Sequence, residues 1–148
     1  MVCFCRLSLD IQSNDLLIEK SGGSPDQPVG RISIITEEMI NNHSLCYSNF
    51  IHKIRIDTEI CNPIYLFNFL KTVHNIKLTD AMQSQTNGIR NLIISNYFNQ
   101  IIPIPPKEKQ LEIAKHITNL RGQAKQLELD AEQIMKEAKA EVEKIILG

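Results

Sequence analysis

The sequence predicts a mixed α/β domain over residues 1–104, followed by one long coiled-coil-type α-helix over residues 105–148. Three observations lead to this prediction. Short apolar segments alternate with polar loops rich in Gly, Pro, Ser and Asn in the first hundred residues. Pro105-Pro106 then ends the last apolar segment, and a proline fits the first turn of a helix but not its interior. Charged, amphipathic sequence continues from there to Gly148 without another proline.

Three strands and one helix are predicted clearly within the first domain. Leu16–Glu19 and Val29–Ile35 are short apolar runs on either side of a Gly- and Pro-rich loop. Ser48–Asp57 alternates in polarity, with Phe50, His52, Ile54 and Ile56 on the predicted apolar face. Asn62-Pro63 has the pattern of a helix N-cap followed by a first-turn proline, so a helix is predicted over Pro63–His74.

The other segments of this domain are less regular. Thr79–Gly88 is amide-rich and is predicted to be a polar turn. Periodicity leaves open which of Ile89–Ile94 and Asn96–Gln100 is a strand and which a short helix. The remaining expectations are a strand at Val2–Leu9, a helical turn or loop at Glu37–His43, and a strand at 101–104.

The C-terminal segment has the period of a coiled-coil seam. Apolar residues recur at alternating steps of four and three, and only Glu141 interrupts the series. A continuous helix over residues 107–147 would be about 62 Å long, which exceeds a small domain, so its apolar stripe needs a partner. The predicted interface residues are Ile113, Ile117, Leu120, Ala124, Leu127, Ala131, Ile134, Ala138 and Ile145.

Gly122 is the weakest position of the predicted long helix. A glycine there costs about 1 kcal/mol relative to alanine, but it falls opposite the apolar seam. We therefore expect a continuous helix. Two helices with a hinge near residues 120–122 are the alternative.

The bulk composition is that of a folded globular protein. Hydrophobic residues make up 43% and charged residues 22% of the chain, which excludes a disordered class. The net charge of −1 argues against a sequence-blind nucleic-acid binder, but not against a specific reader that concentrates a few cations on one face. Residues 107–148 hold eight basic and eight acidic residues, as expected of a solvated helix.

The sequence points to neither a metal site nor a membrane protein. The cysteines form no CxxC motif and have no histidine at ligand spacing, so reduced thiols in or near a core are predicted. No apolar run reaches the ~18 residues of a membrane span, and no secretory signal is apparent, so a cytoplasmic location is expected. The four cysteines are Cys3, Cys5, Cys46 and Cys61.

No recognisable catalytic constellation occurs in the sequence. The GxSxG, HExxH, P-loop and GxGxxG motifs are absent. His52 lies on the apolar face of its strand and is predicted to be a core residue instead of a general base. Asp15, Glu19 and Lys20 match a nuclease metal site only in part, and carboxylates that flank a strand are usually solvated. A non-catalytic protein is therefore predicted.

Two polar loops, residues 20–31 and 83–90, carry groups that suit nucleic acid. Glycines allow the backbone to approach a phosphate, and Gln and Arg side chains form bidentate contacts with adenine and guanine edges. Ordinary surface loops are the alternative, and spacing alone does not decide between them. The groups of interest are Lys20, Ser21, Gly22, Gly23, Ser24, Gln27, Arg31, Gln83, Gln85, Asn87 and Arg90.

Five stretches follow one another along the chain: DLLIEKSGGSPDQPVGR, YSNFIHKIRID, NPIYLFNFL, NGIRNL and IIPIPPKEKQLEIAKHI. Together they resemble the DNA-specificity subunit of type I restriction–modification systems, over roughly residues 15–147. The last stretch is the most distinctive, because the family has a short strand, Pro-Pro, a charged pair, a Gln and an apolar helix start. The matching positions are Pro105, Pro106, Glu108, Gln110, Ile113 and Ile117.

The resemblance implies sequence-specific recognition of double-stranded DNA by a target-recognition domain. In the family, two such domains each read half of a split site, and their conserved helices pack antiparallel and dock the methyltransferase subunits. The specificity subunit is itself non-catalytic. The resemblance therefore implies no cofactor in this chain, with S-adenosylmethionine, ATP and magnesium in the methylation (M) and restriction (R) subunits.

This chain departs from the family in holding one domain and one helix. The resemblance thus implies a homodimer, or pairing with a second half-subunit through the C-terminal helix, and a symmetric split site. The segment before Asp15 is shorter than in the family, which implies an N-terminally truncated domain. The alternative is a truncated interaction protein that occupies partners through its helix without binding DNA.

Within the candidate DNA contacts we expect two roles. Phosphate contacts position a protein on DNA, whereas base contacts specify the sequence. The glutamines Gln27, Gln83 and Gln85 are the expected base readers. The cations Lys20, Arg31 and Arg90 are expected to hold phosphates.

Overall fold

The computed structural model confirms a mixed α/β fold with a long C-terminal helix. The chain divides into two compact units, residues 1–111 and residues 112–148, so the first turn of that helix belongs to the globular unit. The predicted strand at Val2–Leu9, with Cys3 and Cys5, lies outside the described residues. The structure describes residues 10–23, 27–86 and 88–148.

Short strands and helices alternate through the described part of the globular unit. The strands are β1 (Leu16–Glu19), β2 (Ser21–Gly23), β3 (Ile32–Ile34), β4 (Ile51–Ile54), β5 (Gln83–Thr86) and β6 (Ile89–Leu92). The helices are α1 (Glu37–Asn42), α2 (Pro63–Asn75), a 3-10 helix (Leu78–Met82), α3 (Ile94–Phe98) and α4 (Lys107–Leu147).

The strands form two antiparallel sheets with the orders β3–β1–β4 and β2–β6–β5. Lys20 links them, since it is the single residue between β1 and β2. Its backbone N–H donates to the carbonyl of Phe50 at 2.8 Å, and its carbonyl accepts from the N–H of Leu92 at 2.8 Å. The second sheet is thereby fixed to the first through the backbone.

The core lies between the first sheet and α2 and includes side chains from β6 and α3. Burial alternates along β1, so that Leu16 and Ile18 are fully buried, as expected for a strand with one face on a core. Burying an aliphatic or aromatic side chain of this size contributes about 1.5–3 kcal/mol. The core cluster consists of Leu16, Ile18, Val29, Phe67, Leu70, Leu92 and Tyr97.

Helix α2 begins as its sequence predicts and ends one residue later. The Asn62 side chain accepts a hydrogen bond from the N–H of Tyr65 at 3.0 Å, and Pro63 occupies the first turn. The backbone N–H of Asn62 in turn donates to Oε1 of Gln110 at 2.7 Å. Gln110 is fully buried, and its Nε2 donates to the carbonyl of Pro105 at 2.8 Å. This glutamine thus joins the start of α4 to the start of α2.

The strands predicted over Val29–Ile35 and at 101–104 differ from the structure. The strand predicted over Val29–Ile35 is limited to β3, because Gly30 has a φ of +101° and turns the backbone out of the extended conformation. No strand forms at 101–104. Pro103 has no N–H to donate to a ladder, and Ile101 is 94% exposed. The carbonyl of Pro103 instead accepts a hydrogen bond from the Tyr65 hydroxyl at 2.8 Å.

The strand prediction over Ser48–Asp57 was right in type and too long, since β4 covers four residues. Phe50 is 56% exposed and not on a buried face. His52 is half-buried and contacts the Phe98 ring edge-on, with the ring centroids 5.4 Å apart. It is therefore a packed histidine at the margin of the core.

The segments left open by periodicity are resolved by pairing. Ile89–Leu92 is the strand β6, and the short helix α3 follows it. The predicted polar turn at Thr79–Gly88 was wrong for most of its length, because this segment forms most of the 3-10 helix and then β5, which pairs with β6. Glu37–His43 is mainly helical, with the Thr36 hydroxyl accepting from the N–H of Met39 at 3.2 Å.

Helix α4 is continuous over 41 residues and passes through Gly122 without a break. No helix in the described part of the chain is both long and apolar enough to cross a membrane. Cys61 is buried, as predicted for the thiols, whereas Cys46 is exposed, contrary to that prediction.

Asp15 is buried at the start of β1, contrary to the prediction of a solvated carboxylate. Its side chain is 1% exposed and accepts two hydrogen bonds of 2.9 Å from Arg55, a bidentate pair. The N–H of Gln12 donates to the same carboxylate at 2.9 Å, and Lys53 lies 3.8 Å from it. Asp10, which is 65% exposed, contacts both cations from outside.

This buried carboxylate predicts acid sensitivity. Burial by itself raises the pKa of Asp15, but hydrogen bonds from Arg55 and from the N–H of Gln12, with the charge of Lys53, outweigh burial and leave the pKa lowered. A carboxyl with a lowered pKa stabilises the fold above its unfolded pKa of about 4, and this stability is lost as the pH falls through the folded pKa. We therefore expect the urea concentration at the unfolding midpoint to decrease once the pH is lowered below about 4.

The Asp15→Asn variant tests the assignment, since it removes this titrating group and keeps the side-chain shape. Its urea midpoint should be lower at neutral pH and should fall less on acidification than that of the wild type. Asp10, whose pKa is also lowered by hydrogen bonds from Lys53 and Arg55, remains in both proteins. Parallel pH profiles for the two proteins would contradict a role for Asp15.

Candidate DNA-contact surface

The two polar loops predicted separately from the sequence meet in one sheet. Strand β2 comes from the first loop and pairs with β6, while β5 and β6 form the hairpin of the second loop. Arg90 lies opposite Gly23 on one side and opposite Gln85 on the other. Ser21 lies opposite Asn91 in the same way. Candidate residues about 60 positions apart in sequence are therefore neighbours across the β2–β6–β5 sheet.

Gly23 holds the first loop against this sheet. A β-carbon at this position would lie 2.7 Å from Cγ1 of Val29 and 2.9 Å from the carbonyl oxygen of Gln27, so only a glycine fits without a shift. Gly22 has a φ of +113° and lies in an irregularity of the β2–β6 pairing. Both glycines thus shape the backbone of the surface.

Gln83 connects the hairpin to the first loop. Its Oε1 accepts from the backbone N–H of Val29 at 3.1 Å, and its Nε2 donates to Oδ1 of Asp80 at 2.7 Å. Its side chain is half-buried. The amide of this residue therefore already has partners on both sides within the domain.

Gln85 and Arg90 line the polar cavity beside this connection. The cavity has a volume of about 230 Å³, and its lining consists of Asp80, Gln83, Ser84, Gln85 and Arg90. Gln85 is exposed, and its side-chain amide has no hydrogen bond to the described residues. Within the described part of the chain, no carboxylate lies within salt-bridge distance of Arg90 or Lys20. These two cations are therefore available to an anion from outside.

Arg31 differs from these cations in having a partner. Its guanidinium forms a bidentate pair with Glu19, at 2.6 and 2.9 Å, and this pair raises the pKa of Arg31. The arginine side chain is 57% exposed, so it can still contact solvent. A phosphate at this position would share the guanidinium with Glu19.

A comparison with known protein families identifies the class to which this chain belongs. The family model described as "Type I restriction modification DNA specificity domain" matches residues 8–140, which is most of the chain. The chain belongs to this family. Searches of curated proteins and of solved structures found no match.

Family membership gives this polar surface its candidate role. A type I specificity domain is a DNA-recognition module with a role in DNA sequence specificity and is not itself catalytic. In the described parts of this specificity domain, no group of three His, Cys, Asp or Glu side chains is placed to hold a metal ion. The polar β2–β6–β5 sheet is the candidate DNA-contact surface.

The apolar seam of α4 in this specificity domain is largely uncovered. Leu120 is 51% exposed, Leu127 68%, Ile134 64% and Ile145 74%. The three seam alanines are exposed as well, whereas Ile113 and Ile117 are half-buried. A seam of this period with exposed leucines and isoleucines is consistent with a coiled coil.

Two candidate contacts, Ser24 and Asn87, lie outside the described residues. Gln27 is exposed at the end of the first loop. Ser84 belongs to the polar loop predicted from the sequence, whereas Asp80 and Asn91 were not predicted. Asn91 lies in β6 of the same sheet, and Asp80 lines the adjacent cavity from the 3-10 helix. The sequence signal for strand β5 was the repeated polar pattern Gln-Ser-Gln-Thr, which becomes a strand only by pairing with β6.

Proposed function

We propose that this chain serves as the DNA-reading subunit of a type I restriction–modification complex, delivering M and R subunits to a specific DNA sequence. The cations Lys20, Arg31 and Arg90 hold phosphates, and the glutamines Gln27 and Gln85 face base edges. Gln83, the third glutamine expected from the sequence to read a base, has its amide bound to Val29 and Asp80 within the domain. Ser21, Gly22 and Gly23 of strand β2 contribute the backbone of the contact surface. Phosphate contacts give the orientation, and base contacts give the specificity.

The observation that carries this proposal is the pairing of β6 with both β2 and β5. It brings the two polar loops into one sheet, with Arg90 between Gly23 and Gln85. A surface on paired strands is held more rigidly than two separate loops, which favours base readout with defined geometry. The net charge of −1 agrees with a reader that uses a few placed cations instead of a broad positive field.

The proposed assembly is a homodimer, or a pair with a second half-subunit, formed through the seam of α4. Two recognition domains related by a twofold axis would read a symmetric split site. The chemistry would then belong to the other subunits, with S-adenosylmethionine in the M subunit and ATP with magnesium in the R subunit. This chain binds none of these cofactors in the proposal.

The Arg90→Ala variant tests the DNA-contact surface. Removing a phosphate contact should weaken binding to all duplex sequences alike, because the backbone is common to them. The slope of log K against log salt should become shallower by about 1. Fluorescence anisotropy at four or more salt concentrations, on a duplex selected by the wild type and on a scrambled duplex, measures both effects.

Lys125→Ala is the matched control for this experiment. It also removes one positive charge, but from an exposed position of α4, far along the chain from the sheet. Its salt slope should equal that of the wild type. An unchanged slope for Arg90→Ala, or the same change in both variants, would count against the phosphate role of Arg90.

A second candidate function is an interaction protein that acts through α4 without binding DNA. The exposed seam favours it, because such a helix can occupy a partner whatever the first domain does. The two functions differ in one measurement. Sequence preference in the purified chain, alone or with an M subunit, supports the DNA reader, and its absence in both supports the interaction protein.

A further inference from the structure

The two glutamines of β5 differ in what their side chains already bind. Both lie on the same face of the strand, since residues two apart in a strand point to the same side. Gln83 uses its amide within the domain, accepting from Val29 and donating to Asp80. Gln85 is exposed and has no side-chain hydrogen bond to the described residues. Only Gln85 therefore has both its amide donor and its amide acceptor available to a ligand.

Gln85 is also held in a defined place. It lies opposite Arg90 in the β5–β6 pairing, and residues directly opposite one another have side chains on the same face. The strand carrying it is fixed two residues earlier by the Gln83 bonds to Asp80 and Val29. A base-reading group works best on a rigid element with its neighbours locked in this way.

The chemistry of the amide selects the base. Adenine presents an acceptor, N7, beside a donor, the N6 amino group, in the major groove, and the glutamine amide offers the complementary donor and acceptor. Guanine presents two acceptors, N7 and O6, so only half of the glutamine amide finds a partner there. Arg90, beside Gln85 and without a described carboxylate partner, supplies a cation for a nearby phosphate.

We infer that Gln85 reads an adenine in the major groove and that Gln83 is a positioning residue that does not read a base. The inference rests on the proposed DNA-reading function and deepens it, because it names the base and separates the two glutamines. Arg90 anchors the phosphate backbone beside the base that Gln85 contacts.

The test compares Gln85→Glu with Gln83→Glu, the same substitution two residues apart on one strand. Full-length wild type and variants, each with and without an M subunit, are used to select duplexes from a randomised DNA pool. Wild-type motifs should contain an adenine that Gln85→Glu no longer favours, because a carboxylate cannot donate to N7. Discrimination at that one position should fall by about 5- to 150-fold, with the other positions unchanged.

Gln83→Glu should behave differently. It keeps an acceptor for Val29 but places a carboxylate against Asp80 instead of a donor, so its thermal midpoint should fall while any DNA it still binds shows the wild-type motif. Gln85→Glu should keep the wild-type thermal midpoint. Gln123→Glu, at an exposed position of α4, controls for the added negative charge and should change neither quantity.

The possible outcomes distinguish a failure of the Gln85 inference from a failure of the proposed DNA-reading function. A wild-type motif that Gln85→Glu leaves intact would overturn the reading role while the DNA-reading function stands. Equal weakening on all sequences would also overturn it, since it would make Gln85 a general backbone contact. A wild-type protein that selects no motif with or without an M subunit would defeat the proposed function itself, and the inference with it.

Discussion

Replacing Leu120 and Leu127 with aspartate should convert a dimer of this chain into monomers. Both side chains lie in the α4 seam and are more than half exposed in the single chain, so they are available for burial against a second helix. Four leucines would leave the interface of a dimer, at about 1.5–3 kcal/mol each. The dissociation constant should therefore rise by at least about 10⁴-fold.

Light scattering behind a sizing column, over a concentration series, measures this change. Leu129→Asp is the matched control, because Leu129 is also about half exposed but lies about 200° around the helix from Leu127. The control should stay dimeric, and far-ultraviolet circular dichroism should show that all variants keep their helix. A dimer that survives the double substitution would place the interface elsewhere. A monomeric wild type would mean that the α4 seam binds a different subunit instead of a second copy of this chain.

Replacing Asp15 with alanine should lower the free energy of unfolding by about 2–3 kcal/mol, since leaving a buried hydrogen-bonding group without its partner costs about 1–3 kcal/mol and Arg55, which is 40% exposed, can bond to water instead. The carboxylate is fully buried, and its loss leaves Arg55 and the N–H of Gln12 without their partner. Asp15 also precedes the buried strand β1, and its backbone carbonyl accepts from the N–H of Ile35. For a domain of this size the thermal midpoint should fall by roughly 10–20 °C.

Urea unfolding at pH 7 measures the loss, with Asp10→Ala as the control. Asp10 contacts the same two cations, but it is 65% exposed and water replaces it readily, so its removal should have a much smaller effect. Equal destabilisation by the two substitutions would show that burial does not distinguish them. A loss for Asp15→Ala within experimental error would show that the pair with Arg55 contributes no net stability.

The local sequence pattern was sufficient to predict an element wherever the segment had its own periodicity, apolar run or cap. The seam period and the absence of proline after Pro106 predicted α4, and the structure has it unbroken through Gly122. Asn62-Pro63 predicted the start of α2. The short apolar run at Leu16–Glu19 predicted a strand with these bounds, and in the structure two of its side chains point into the core.

The sequence pattern failed to predict the structure where strand pairing or long-range contacts determine it. The strand β5 contains no apolar residue, so hydropathy could not distinguish it from a turn, and its hydrogen bonds with β6 make it a strand. The buried state of Asp15 depends on Arg55, which lies 40 residues later. At residues 101–104 the apolar run predicted a strand, but Pro103 breaks the hydrogen-bonding pattern that a strand requires.

The candidate site likewise has features that the sequence predicted and features that only the tertiary structure showed. Residue type alone identified the two polar loops as suited to nucleic acid, and the ordered motifs identified the family that the comparison then confirmed. Only the tertiary structure joined the loops, through the β2–β6–β5 pairing, and distinguished the engaged Gln83 from the available Gln85. The physical reason is that helix periods and caps depend on residues within a few positions of one another. Strand pairing and hydrogen-bond satisfaction depend on partners that are distant in sequence.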